Sequence, residues 1–366
     1  MQVRTTDPKW ERPERYGAFD SFMLTALKDE RDLIFVRTAA EITLVVFPIA
    51  TVLFALPESV VWWLVLPYVA ALFGRYASRY GLMLHANGHR PIFDRDFDWM
   101  NRYVPWILGP FLGHTPNSFP AHHQHMHHAE GNMPEDLSTT LPYQRDHFGH
   151  FLHYWARFFF LGHIALFRYL SFRDRRKTAM SFLRGELAWL AVVVLAWNVN
   201  PAAATAVFIV PFLAMRWFLM CGNWAQHAFV DIHDPDNPYR NSNNLTNTPF
   251  NHAAYNDGYH IVHHVYPGMH WTEMAAYYED NYQEFVEQDA VVFDGLFDNI
   301  VLWALLMTRQ YDYLARHLVD LRGRTHEEKV AFLKSRVKPT LGARPAFFFF
   351  ETEADVGRTK PLADAA

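Results

Sequence analysis

Four apolar runs stand out from an otherwise mixed chain: roughly Ala39–Leu56, Val60–Gly74, Leu187–Val199 and Ala202–Met220. Only Pro57, Glu58 and Ser59 separate the first two, and only Asn200 and Pro201 the last two. A helix needs about 20 apolar residues to cross the hydrocarbon core. The second and third runs are shorter and reach that length only where helix continues into their flanks. The pattern predicts an all-α integral membrane protein with four transmembrane helices, in two hairpins closed by very short turns.

Other apolar stretches do not read as spans. Val104–Leu112 is too short. Phe151–Leu170 is long enough but carries Arg157, His163 and Arg168, which suits an amphipathic helix in the headgroup plane. Val291–Met307, interrupted by Asp294 and Asp298, reads as a weaker version of the same element. The run Phe347–Phe350 is expected to dock on the membrane or the domain, and the last dozen residues to be disordered. The expected division is a cytosolic segment 1–32, a membrane domain with a cytosolic helical cap 33–310, and an amphipathic C-terminal segment and tail 311–366.

Charge sets an orientation. Neither hairpin turn contains Lys or Arg, whereas Lys28, Arg31, Arg37, Arg75, Arg79 and the run Arg173, Arg175, Arg176, Lys177 flank the hairpins. By the positive-inside rule the turns face away from the cytoplasm and the rest faces in. Net charge is −5, which gives no reason to expect a nucleic-acid partner. Charged residues make up 19% and aromatics 16%, a balance that leans towards a membrane. A single cysteine, Cys221, excludes an internal disulfide and a Cys-ligated cluster. The polar first thirty residues show no cleavable signal peptide.

Histidine carries the chemistry. Nine histidines fall in four clusters at the cytoplasmic ends of the apolar segments: His85 and His89; His123, His127 and His128; His227; and His260, His263 and His264. Imidazole is the commonest ligand for borderline metals, and residues four apart on a helix share a face. Nine ligands are too many for one ion and suit two. Within AHHQHMHH, His123 is preferred to His122 or His125 because His127 follows it at i, i+4. Asn223 lies one turn before His227 and shares its face. Asp136 and Asp257 are candidates to orient ligating histidines, or are turn and cap residues; Glu130, Tyr266 and Trp271 are weaker candidates. Trp62, Trp63, Phe73, Trp217, Phe218 and Trp224 either line a hydrocarbon tunnel or pack against lipid and helices.

The spacings His85-ANG-His89, His123-QHM-His127-His128 and His260-IV-His263-His264 resemble, in order and form, the three histidine boxes of the membrane fatty-acid desaturase superfamily. Asn223-WAQ-His227 is similar to the N-x3-H element of its acyl-CoA desaturase members. The likeness covers roughly residues 35–310. It implies two iron ions held by the nine histidines, Asn223 holding a metal-bound water, O2 as co-substrate and a lipid acyl substrate. No cytochrome b5-like HPGG segment is present, so the expected electron donor is separate, of the ferredoxin, rubredoxin or cytochrome b5 type. The expected reaction is desaturation of a hydrocarbon chain by hydrogen abstraction, with hydroxylation or ketolation as the alternative outcome. A non-enzymatic metal-binding membrane protein is the third reading. Transporters of that kind place ionisable residues within their spans, whereas here Glu41 and Arg216 are the main charged residues within or beside them and the histidines cluster outside.

Overall fold

The computed structural model describes residues 4–320 and 322–339. Phe347–Phe350 and the last dozen residues lie outside the described residues. Among the described residues four helices are long and apolar enough to cross a membrane: Glu30–Ala55, Glu58–His89, Arg176–Val199 and Pro201–Gln226. The second and third runs thus gain their length from flanking helix. At 32 residues, Glu58–His89 extends about 48 Å, well beyond a hydrocarbon core of about 30 Å. Its surplus turns carry His85 and His89.

Leu56 and Pro57 join the first pair of helices, and Asn200 alone joins the second. The two connections meet: Asn200 Nδ2 donates to Leu56 O at 3.0 Å. Asn200 Oδ1 also caps the following helix through Ala203 N at 3.0 Å. Both connections therefore share one end of the bundle. Trp63, Leu66, Leu195 and Val199 are well exposed on these helices, as suits an apolar solvent. Where the helices face one another, small side chains (Ala202, Ala203, Ala206) are fully buried against Val61, Val65 and Leu72.

The amphipathic stretch expected over Phe151–Leu170 is helical, Phe148–Phe172, and is not one of the four helices apolar enough to cross a membrane. It buries Phe151, Tyr154, Leu166 and Leu170 and leaves Phe160 and Ile164 exposed.

Val291–Met307 departs from its expectation. Val291–Asp294 is a strand, paired in parallel with Asn243–Thr246 from Asn243↔Val291 to Thr246↔Asp294. Gly295 then turns the chain at φ +69°, and Asp298 caps a separate helix, Asn299–Met307, by accepting from Val301 N at 2.7 Å. The two aspartates that interrupt an apparent helix end one element and begin the next. The described chain is therefore mostly helical with one two-stranded sheet, rather than all-α. That sheet positions chemistry. Beside it, Leu245 N bonds Gly258 O at 2.7 Å, and Asn244 Oδ1 accepts from Ile261 N at 2.8 Å, fixing the helix His260–Val265.

Two glycines allow the close approaches that form one wall of the interior. A Cβ on Gly185 would lie 1.7 Å from Pro116 O, and one on Gly113 would lie 2.2 Å from Pro211 O. Gly113 also has φ +82°, a conformation that side chains disfavour. Together they press the segment around His114 against two of the long helices.

Candidate metal centre

All nine histidines converge in two adjoining groups. His85, His89, His123, His128 and His263 form one; His127, His227, His260 and His264 form the other. The groups share a wall, with the His128 and His264 rings stacked at 4.8 Å. His122 and His125 join neither. His122 packs edge-on against Phe158, and His125 offers its carbonyl to Arg175.

The partition cuts across the sequence clusters. His123 and His127, chosen as an i, i+4 pair, belong to different groups. Residues 123–127 form a π turn, in which His128 N bonds His123 O. A π turn brings i and i+5 together, so His123 and His128 meet, with Nε2 atoms 3.0 Å apart. In the last cluster the α-helical pair His260 and His264 stays together, while His263 turns to the other group. His85 and His89, another i, i+4 pair, likewise stay in one group. Between them, Gly88 leaves room for Gln124, whose Nε2 would sit 3.0 Å from a Cβ there. Gln124 packs there, outside both groups.

The nitrogen geometry tests whether cations fit. In the first group, Nε2 of His263 lies 2.8 Å from that of His85, 2.7 Å from His128 and 3.4 Å from His123. In the second, Nε2 of His260 lies 3.2 Å from His227 and 3.0 Å from His264. Nitrogens about 2.1 Å from one shared ion sit about 3.0 Å apart at right angles and about 3.4 Å at the tetrahedral angle. Hydrogen bonds cannot account for this packing, because each Nε2 offers one proton or one lone pair. Among the described residues the buried Nε2 atoms of His89 and His127 have no hydrogen-bond partner. Burial first, then the neighbouring imidazoles, hold His123, His128, His260, His263 and His264 well below the usual histidine range. For His227 the same causes push the value down to about 3. Neutral rings with converging lone pairs are what a first-row transition ion needs.

Outer partners fix which nitrogen faces in. His127 Nδ1 donates to Asp136 Oδ2 at 2.7 Å, with both side chains buried. Burial opposes ionisation of Asp136, but His127 and Ser138 outweigh it and hold the carboxyl at about 2. Its oxygens also accept from Asn132 N, Ser138 N and Ser138 Oγ. His227 Nδ1 donates to Asn241 O at 2.8 Å, and His85 Nδ1 lies 3.3 Å from Asp257 Oδ1. With Nδ1 protonated, Nε2 is left as the lone pair. Asp257 accepts from Gln226 Nε2 as well, tying it to the end of a long helix. The two favoured carboxylates thus sit beside ring histidines. The three weaker candidates do not: Glu130 bonds Tyr169 and Arg173, Tyr266 packs on Tyr277, and Trp271 on Tyr255. Asn241 was not legible beforehand, since a main-chain carbonyl has no sequence signature.

Asn223 lies beside the second group. Its Nδ2 donates to Tyr154 Oη at 2.7 Å and Ser138 O at 3.1 Å. It also lines a cavity of about 490 Å³ that reaches His85, His123, His127 and His260. The opposite walls are largely apolar, with Phe73, Leu82, Phe119, Phe158 and Phe218. Of the six aromatic candidates for a tunnel, Phe73 and Phe218 line this cavity. Trp62 and Trp63 are exposed, Trp217 packs against Phe151, and Trp224 is buried with Nε1 bonded to Arg145 O.

No curated protein and no solved structure matches the chain. The family profile described as fatty acid desaturase matches residues 16–295, an interval that contains all nine histidines, both orienting carboxylates and the four long helices. The chain belongs to the fatty acid desaturase family.

Proposed function

We propose that the protein is an O2-dependent desaturase that introduces a double bond into the acyl chain of a lipid or acyl-CoA. The observation that carries this reading is the continuity of one largely apolar cavity with rings of both histidine groups. In this reading His85, His89, His123, His128 and His263 hold one iron ion, and His127, His227, His260 and His264 the other. Asn223 positions a water beside the four-histidine site, through the oxygen that its two Nδ2 bonds leave over. The iron pair with O2 supplies the oxidising power that side chains lack for an unactivated C–H bond.

The chain's own residues do the rest. The apolar walls hold a hydrocarbon chain and exclude water from it. Asp136, Asp257 and the Asn241 carbonyl keep three rings in register. Four-electron reduction of O2 takes two electrons from the C–H bonds and two from an external donor of ferredoxin, rubredoxin or cytochrome b5 type. In the proposed topology the Pro57 and Asn200 connections face away from the cytoplasm, which places the histidines and the donor's docking side within it. Arginines and lysines beside the histidine-bearing ends support that orientation.

Lipid mass spectrometry of a host expressing the protein with a compatible donor tests the reading, with His127→Ala as the control. Lipids lacking two hydrogens, only with wild type, are expected. Added oxygen instead would make the enzyme a hydroxylase at the same site. Identical lipids from wild type and variant, across the three donor types, would sink it. Asn223→Ala is expected to lower turnover at least about tenfold while losing less metal than any histidine variant. Metal loss equal to that of His227→Ala would make Asn223 a structural residue.

A further inference from the structure

Glu41 and Arg216 are the main charged residues within or beside the apolar runs, and they are treated differently. Glu41 meets Arg75 at 2.8 Å and Arg79 at 3.1 Å. Arg216 is 8% exposed, and its buried Nε is unpartnered among the described residues. The ring centres of Phe212 and Phe158 lie 4.4 and 5.3 Å from its guanidinium carbon, which offsets part of the desolvation and leaves that donor unmet. Glu186 is engaged elsewhere, by Thr115 and by His163 at 2.9 Å.

Arg216 lines the cavity that reaches the histidines, and so does His114, which is buried and whose Nε2 is unpartnered among the described residues. Burial first, then the Arg216 charge, push His114 down to about 3, so its ring is neutral. Gly113 and Gly185 hold this wall in place through their close contacts with Pro211 and Pro116. The cavity runs past the histidines. Phe250 and Asp298, each four residues beyond a strand, line it near the sheet that fixes the His260–Val265 helix. Gly74 and Arg216, each eleven residues before a clustered histidine (His85 and His227), line it about 16 Å further down the helices. A chain whose head stays near the sheet therefore passes the rings before its tail reaches Arg216. A polar group left unmet in an apolar interior is costly unless a ligand meets it. A guanidinium only donates, and a neutral imidazole nitrogen offers one lone pair or one proton. A hydroxyl, which accepts and donates, meets both.

We propose that Arg216 and His114 form a recognition site for a hydroxyl on the tail of the acyl substrate, beyond the carbons that face the histidines. The guanidinium donates to the hydroxyl oxygen, and the hydroxyl donates to Nε2 of His114, whose ring proton is then on Nδ1. Arg216 and Asn223 are seven residues apart, hence on one face of the helix and about 10 Å apart along it. The hydroxyl therefore sits about that far beyond the reacting carbons. The substrate class is an ester or thioester of a hydroxylated fatty acid, with its head group at the sheet end of the cavity. This rests on the desaturase reading for the identity of the chain, but not for the polar contact itself.

Equilibrium binding to the purified full-length protein in detergent tests the site without turnover. The probes are radiolabelled methyl octadecanoate and a series of methyl octadecanoates bearing one hydroxyl at successive carbons of the distal half. Wild type is expected to bind one position, or two neighbouring ones, about tenfold or more tighter than the plain ester, since a hydrogen bond to a charged group is involved. Arg216→Met is expected to flatten the series without weakening the plain ester, because the stem and its packing are kept. Arg216→Lys keeps the charge but loses the planar fork, and its peak is expected to fall between the two; it decides in the same way if the methionine variant does not fold. A flat series in wild type, or a peak unchanged in the variants, overturns the site. A peak with unchanged host lipids would remove the desaturase reading and leave the site standing, whereas unsaturated host lipids with a flat series would do the reverse.

Discussion

His263→Ala is expected to lower turnover by more than about 100-fold, beyond the 10–100-fold that loss of a mere outer partner costs a metal site. His263 is the hub of the five-histidine group, within 2.7–3.4 Å of three other Nε2 atoms. Its removal leaves a gap between rings that no carboxylate can fill, because Asp257 touches the outer face of His85 and Asp136 that of His127. The variant should keep the ion of the four-histidine group and lose the other, so that metal analysis gives about half the wild-type content. His264→Ala should give the converse, with the ion of the five-histidine group kept. Wild-type turnover in either variant would refute the assignment of these rings as ligands. Complete metal loss in both would mean that the groups bind as one unit.

Asp136→Ala should be the most destabilising change outside the histidines. The carboxylate is buried and accepts from His127 Nδ1, Asn132 N, Ser138 N and Ser138 Oγ. Alanine would strand these donors without water, a loss of about 3–5 kcal/mol by analogy with breaking a buried charge pair. It would also free the His127 ring to turn, so affinity for metal at the four-histidine group should fall about 10–100-fold. Asp136→Asn separates the two effects, since it keeps the shape and removes the charge. Thermal unfolding and metal titration of both variants give the answer. Asp136→Ala with wild-type metal affinity would show that His127 is oriented by packing alone.

The degree to which each feature was legible follows from its range along the chain. The long helices were readable because an apolar run reports its own solvent, and residues flanking the short runs were able to extend them. The Val291–Met307 segment was misread because two aspartates look alike whether they interrupt a helix, end a strand or cap a new helix. Only pairing with Asn243–Thr246, some fifty residues away, made Val291–Asp294 a strand. Asp136 and Asp257 were legible as acids near histidines. Their function as outer partners depends on contacts that sequence distance does not reveal: Asp257 precedes the last cluster yet faces His85.

The sequence by itself determined the donors. It supplied nine histidines at helical spacings, an asparagine one turn before one of them, and four apolar helices, one of which carries His85 and His89 and another of which ends at His227. Only the tertiary structure decided how the rings divide, five and four, and which lie against which. Periodicity along a helix states which side chains share a face, but a nitrogen cage is closed by neighbours from other helices. A single π turn at 123–127 was enough to move His127 away from His123 and bring His128 to it. Arg216 was visible as a charge in an apolar run, while its buried Nε, unpartnered among the described residues, was a property of the packed wall alone. Composition records which groups are present; burial and convergence decide which are left unmet, and an unmet group is where a ligand belongs.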